Sequence, residues 1–216
     1  MKIDKIDKID FGQNKECKHC GRILTAKAYF VLENGEEIYF GPECVKKYFS
    51  HNISDIPDFT RAGNNYKSNS KIRTQNMEKN SNSEIINEKI IIEYIRLRCE
   101  LLTEFQGIED TNILDIYMKY KKLTLDEDDK KYLNALINYF EKINSKFGYR
   151  NLMACYMAKI VLILWMQSEE NNFAKGIHNF LLRNYYLTEK QIIGANNWIK
   201  NMEGMKNING KWFYKN

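Results

Sequence analysis

Three cysteines in the first fifty residues have the types and spacing of metal ligands. Cys17 and Cys20 stand two residues apart in Cys17-Lys18-His19-Cys20-Gly21, and Cys44 follows in Gly41-Pro42-Glu43-Cys44. A Cys-x-x-Cys pair lets the backbone fold back until both sulfurs face one tetrahedral ion, and Gly21 supplies the positive φ such a knuckle uses. Zinc is the expected ion, held by Cys17, Cys20 and Cys44. Three free thiols in a small core are the alternative, which leaves the knuckle without a reason for its shape. His51 is the first candidate for a fourth ligand, two helical turns after Cys44 and on the same face. A straight helix would set the two about 10.5 Å apart, so His51 reaches the ion only if the helix ends near Phe49 and the chain bends back. Cys99 and Cys155 come next, and His19, inside the knuckle, is expected to point away.

These ligands need elements to hold them. Ala28–Leu32 and Glu37–Phe40 flank Glu33-Asn34-Gly35-Glu36, and Asn-Gly is the strongest short hairpin signal. Pro42 suits the opening of a helix that carries Cys44 in its first turn. Knuckle, hairpin, then a ligand at a helix start is the treble-clef order. On Cys17, Cys20, Gly21, Gly41, Pro42, Cys44 and Lys47, residues 15–49 resemble the small treble-clef-type zinc modules of phage and mobile-element proteins (C-x-x-C-G, hairpin, G-P-x-C-x-x-K). The resemblance implies a fold and a metal and says little about activity. No cysteine or histidine stands two or three residues after Cys44, which leaves the fourth ligand open.

The expected fold class is mainly α. It comprises a treble-clef-like zinc module with an amino-terminal tail (1–52), a flexible basic linker (53–83) and an all-α helical bundle (84–216). The tail repeats Lys-Ile-Asp over residues 2–10, which points to an AT-rich coding source and carries no chemistry. The linker is poor in apolar residues and rich in Asn and Ser. Beyond it, Ser81-x-x-Glu84 reads as a capping box opening a helix through Phe105, which Gly107 ends. Asp110 or Thr111 caps a helix to Lys122, and Thr124-x-x-Glu127 opens another to Phe147. Tyr149–Gln167 is apolar nearly all round and reads as a central helix. Phe173–Tyr185 follows, and Thr188-x-x-Gln191 opens the last helix, Lys190–Met202. The matching Leu-Thr turns at 123–124 and 187–188 read as two ordinary helical hairpins or, alternatively, as a duplicated reader.

At 216 residues the chain can hold one good-sized core and a small satellite. Five cysteines with three assigned to a metal argue for a reducing compartment. No apolar run has the ~20 residues of a membrane span, so a cytoplasmic protein is expected. The net charge of +5 is mild, but Arg61, Lys67, Lys71 and Arg73 cluster in the linker. With Lys18, Arg22, Lys46 and Lys47 of the module they form a candidate nucleic-acid surface. No catalytic residue is assigned, since no hydrolase, phosphate-loop or deaminase motif is present. An open-site zinc hydrolase with Glu43 as base is the exception kept in view. The expected function is a zinc-stabilised nucleic-acid-binding accessory protein of a phage or mobile element, with DNA or RNA as partner. The alternative is a phage-encoded, protein-directed inhibitor of a host nucleic-acid-guided defence effector (anti-CRISPR type), acting on a host nucleoprotein complex by binding. Neither reading involves a membrane or a small-molecule substrate.

Overall fold

The amino-terminal residues, expected as a tail, form a nine-residue strand, β1 (Ile3–Phe11), in a computed structural model that describes residues 3–49, 56–60, 87–168, 171–202, 205 and 207–214. β1 runs antiparallel to β4 (Lys27–Glu33), and β4 pairs in turn with β5 (Glu36–Phe40), giving the order β1-β4-β5. Ile3, Ile6 and Ile9 stand opposite Glu33, Val31 and Tyr29, so three residues of β1 match two of β4. A three-residue repeat cannot keep one face of a strand whose side chains alternate with period two. Register shifts between Ile3 and Lys5 and between Ile6 and Lys8 absorb the difference, with Asp4 and Asp7 as the extra residues. The isoleucines thereby stay in phase with one face of β4.

The expected hairpin is present. Asn34 (φ 51°) and Gly35 (φ 81°) form a two-residue turn with both residues left-handed, as a type I′ turn requires. Alternation along β4 divides the module's core. Tyr29 and Val31 pack with Ile9, Phe40 and Val45, while Ala28 and Phe30 pack with Cys17 and Leu24. Two short strands, β2 (Lys15–Glu16) and β3 (Ile23–Leu24), pair and carry the Cys17–Gly21 knuckle between them. Gly12 precedes this ribbon because nothing larger fits: a Cβ there would lie 2.2 Å from the Leu24 carbonyl oxygen.

Part of the segment 53–83, expected as linker, is built into the sheet. Ile9 N–H donates to Pro57 O at 2.8 Å and Phe59 N–H to Ile9 O at 2.9 Å. This parallel bridge covers the outer edge of β1. Asp58 is fully buried, accepts from Lys27 Nζ at 2.9 Å and holds Thr60 through its backbone and hydroxyl. Arg61, Lys67, Lys71 and Arg73, with the rest of the expected linker to Ser83, lie outside the described residues.

The remainder is helical. α1 (Pro42–Val45) is a single turn with Pro42 in its first positions. α2 (Glu88–Arg96) is capped by Asn87, whose side chain accepts from Ile90 N–H; the expected box at Ser81 and Glu84 lies outside the described residues. α2 continues as a π-turn, Leu97–Leu101. There Arg98 is buried, donating through Nε and Nη2 to Ile108 O and through Nη1 to the Tyr94 hydroxyl, which pins the following loop. α3 (Thr111–Lys122) is capped by Asp110.

α4 (Glu127–Lys142) departs from expectation at both ends. Asp126, not Thr124, caps it, because Leu125 is buried and must precede the helix as its apolar flank. It stops before Phe147 because Asn144 adopts φ 51°, with Ser145 N–H returning to Phe140 O and Asn144 N–H to Glu141 O. That is a Schellman motif closed by asparagine in place of glycine.

α5 (Tyr149–Ser168) is the apolar helix expected. Its length and composition would suffice to cross a membrane, but 78% of the relevant window is buried within the protein. α6 (Asn172–Asn184) follows, and α7 (Glu189–Ile199) opens on a complete capping box: Gln191 N–H to Thr188 Oγ1 and Thr188 N–H to Gln191 Oε1. The aromatic tail makes a 3₁₀ turn at Gly210–Trp212, buries Phe213, and fixes Tyr214 through its N–H to Asn151 Oδ1 and its hydroxyl to Asn184 O. The molecule is thus mainly helical, with a small amino-terminal sheet.

By contact the chain divides into two compact units, each discontinuous in sequence. The first comprises Met1–Thr60, Met157–His178 and Thr188–Ile208; the second comprises Arg61–Tyr156, Asn179–Leu187 and Asn209–Asn216. In the first, Trp165 stacks on Trp198 (centroids 5.6 Å apart, planes at 16°) and meets the edge of Phe173. In the second, buried Glu93 accepts a hydrogen bond from the Tyr149 hydroxyl, and Arg96 pairs with Glu100, which also accepts from Tyr117.

Candidate metal centre

The knuckle is built from backbone hydrogen bonds. Gly21 N–H returns to Cys17 O at 2.9 Å, with Gly21 at φ 70°, and Cys17 N–H donates to Arg22 O at 2.9 Å. Lys18 N–H donates to Tyr39 O at 2.8 Å, docking the knuckle on β5. From the other side, the chain leaves β5 at Phe40, turns through Gly41-Pro42 and presents Cys44 from α1.

These elements bring Cys17, Cys20 and Cys44 together. Their sulfurs lie within 4.8 Å of one another, and Cys20 and Cys44 are 3.6 Å apart. Tetrahedral Zn–S bonds of ~2.3 Å require S···S edges of about 3.8 Å, so the triangle fits one ion with small adjustment. Cys17 is buried, Cys44 half-buried and Cys20 exposed. Gly41 N–H points at Cys17 Sγ at 3.4 Å, an outer hydrogen bond of the kind that orients a thiolate. Burial pushes the Cys17 thiol up, but the N–H groups of Gly41, Cys20 and His19 outweigh it and bring the thiol down to about 7. The Cys44 thiol is pushed up to about 11, by burial and then by its contacts with the Cys20 and Cys17 sulfurs. A cation among three sulfurs stabilises their thiolate forms and displaces thiol protons as it binds. The cluster can therefore hold a metal ion.

Among the described residues no fourth His, Cys, Asp or Glu joins the group. His51 lies outside the described residues. Cys155, considered as a remote ligand, is buried with its thiol donating to Tyr185 O at 3.2 Å. Cys99 is half-buried, is not part of the cluster, and its thiol is pushed up to about 11 by burial. His19 points away from the sulfurs as expected. Lys47 Nζ lies 3.3 Å from its Nε2, and its Nδ1 is 2.6 Å from the Tyr48 hydroxyl.

Lys18, Arg22, Lys46 and Lys47 are all exposed on this module. Their types were legible in the sequence, but their engagements were not. Lys46 pairs with Glu43 at 2.9 Å, and Lys47 meets His19. Glu43, the one base considered for an open metal site, is thereby turned to Lys46, its side chain 82% exposed. The Gly41 N–H to Cys17 contact was also missed; Gly-Pro directly after a strand was its only sequence signal. No family model, curated protein or solved structure matches this chain.

Proposed function

We propose that this chain is a zinc-stabilised nucleic-acid-binding accessory protein of a phage or mobile element. The observation that carries the reading is the three-sulfur cluster, with exposed Lys18, Arg22, Lys46 and Lys47 within three residues of its cysteines in sequence. Soft thiolates in a tetrahedral arrangement favour zinc. The order of knuckle, hairpin and helix turn supports a treble-clef module, with His51 as the fourth ligand. In this reading the metal is structural: it ties the knuckle to α1, and the protein acts by binding, not catalysis. In this reading Arg61, Lys67, Lys71 and Arg73 contribute further cations for phosphate.

Metal analysis of protein expressed with ample zinc is expected to give one zinc per chain, with Cys20→Ser and Cys44→Ser each losing most of it. Well under one zinc in the parent chain overturns the premise. Gel shifts at low salt that detect no DNA or RNA binding overturn the rest. A second reading, a protein-directed inhibitor of a host nucleic-acid-guided effector, is favoured by exposed Leu114 and Met118, four residues apart on one face of α3, and by exposed Tyr132 and Tyr139, seven apart on one face of α4, since apolar residues that share an exposed face mark partner surfaces. Co-purification from the native host with nuclease treatment separates the two: a partner retained after nuclease supports the inhibitor.

A further inference from the structure

A cavity of about 320 Å³ opens in the first compact unit, at the lower end of the ~300–1,000 Å³ range of small-ligand sites. Trp198, Leu164 and Met202 supply apolar walls, and Asn14, Gln167 and Asn201 supply carboxamides. Trp198 is not a loose side chain. One of its faces is stacked on Trp165, which is itself only 7% exposed. An indole backed in this way holds its plane and offers a flat surface without an ordering cost at binding.

Asn14 is equally fixed. Lys15 N–H donates to Gly12 O at 2.8 Å, closing a tight turn in which Gln13 (φ 48°) and Asn14 (φ 65°) are both left-handed. Only asparagine and glycine visit that region readily, so Gln13 holds a costly conformation there. Asn14 N–H also bonds Leu24 O at 3.0 Å, and the missing Cβ of Gly12 lets the turn press against β3. The turn is rigid on one side and presents a carboxamide to the cavity on the other.

The chemistry of this lining selects a ligand class. Among the described residues no cation lines the cavity, so its walls offer a phosphate no partner. A wholly apolar ligand would strand three amides, which is costly. A planar heterocycle with donors and acceptors along its edge satisfies both parts: its face lies on the indole, and its edge meets carboxamides, each with an acceptor and two donors. Lys15, directly after Asn14, is exposed and has its ammonium 5.3 Å from the Tyr39 ring centroid, so a phosphate attached to such a ligand would compete with that ring for it. We infer that this cavity is a subsite for one unstacked nucleobase of a single-stranded nucleic acid. As such it deepens the nucleic-acid reading above, on which it rests for the source of the base.

The test compares binding of short single-stranded DNA and RNA oligomers with oligomers of equal length in which every base is replaced by an abasic unit. The full chain is used, loaded with zinc, and read by fluorescence anisotropy. Base-bearing oligomers are expected to bind about 5- to 150-fold more tightly, the range for one stacked base. Asn14→Gly keeps the left-handed turn while removing the carboxamide, and Gln167→Ala removes a second amide from an exposed position. Both are expected to reduce that advantage several-fold with abasic binding and melting temperature unchanged. Equal binding of base-bearing and abasic oligomers by the parent chain overturns the subsite while leaving the cationic surface standing. An advantage that survives both substitutions also overturns it. If neither kind of oligomer binds, the nucleic-acid reading fails, and titration with free nucleosides decides the cavity alone. A shift of the Trp198 indole N–H resonance, lost in Asn14→Gly, supports a base subsite. No shift with any nucleoside ends it.

Discussion

Replacing Lys18, Arg22, Lys46 and Lys47 together with serine removes four exposed cations from the module while leaving both of its apolar clusters untouched. Each neutralised phosphate contributes a log–log salt slope of about −0.7 to −0.9, so the fourfold variant is expected to flatten the slope by about three units. Between 50 and 200 mM salt the parent chain then loses about 50- to 150-fold more affinity than the variant. The four are not equal. Lys46 already faces the Glu43 carboxylate at 2.9 Å, so a phosphate must compete for it, and Lys46→Ser is expected to have the smallest single effect. Glu43→Gln frees that ammonium and is expected to raise affinity at low salt. Lys18 and Arg22 are expected to carry the largest single effects. Anisotropy titrations of a labelled oligomer over this salt range, with melting curves as the control for folding, provide the measurement. A parent slope that the fourfold variant leaves unchanged, with folding intact, refutes the assignment of these side chains.

Gly12→Ala is expected to destabilise the first unit by ~1–3 kcal/mol or more, because the new methyl meets the Leu24 backbone on a strand that cannot yield cheaply; an unchanged denaturant midpoint contradicts this. Gly194→Ala has the opposite expected sign. Its Cβ would sit 3.2 Å from Phe173 Cε1, but Phe173 is 56% exposed and can give way, so the gain in helix propensity leaves a net stabilisation of ~0.5 kcal/mol; a loss on thermal melting counts against it. The Asp126 carboxyl is held below its ordinary 3.8, chiefly by the Asp129 N–H it caps and further by Lys119, against a smaller opposing effect of burial. A lowered folded value means that the cap stabilises above the ordinary range and is lost as pH falls through the lowered one. Protection of the Asp129 amide, relative to its intrinsic exchange rate, should therefore fall in acid, with the Asp126 midpoint by NMR below 3.8; a midpoint at or above it refutes the cap.

Where local chemistry decides the structure, the sequence was readable. Asn34-Gly35 allows only one kind of short hairpin, Gly21 supplies the turn between two sulfurs, and the Thr188–Gln191 box fixes its own helix start. Thr124 and Glu127 show how such a pattern loses to packing: the same box was available, but burying Leu125 moved the cap to Asp126. Ile56–Thr60 looked like linker because its order comes from β1 and Lys27, partners about thirty residues or more distant. The cavity was out of reach for the same reason, since it joins Asn14 to residues about 150 or more positions later. β1 was missed because an apolar residue every third position matches neither a helix nor a plain strand, and only the two register shifts reconcile it with a sheet.

Those shifts make the strand modular. The unit Lys5-Ile6-Asp7 spends one residue on a bulge and two on pairing, so gaining or losing such a unit moves the strand by two partner positions and keeps its phase with β4. A one-residue change has no such refuge, because it turns one part of the strand over against its partner. Slippage by one unit is also a near-degenerate alternative within the repeat, and what breaks the degeneracy lies at its far end: Phe11 opposite Lys27, and Ile9 clasped by Pro57 and Phe59. The clasp from Ile56–Thr60 thus sets the reading frame of the sheet, and the repeat upstream of it is free to differ in length among variants of this chain while the cysteine knuckle downstream stays in place.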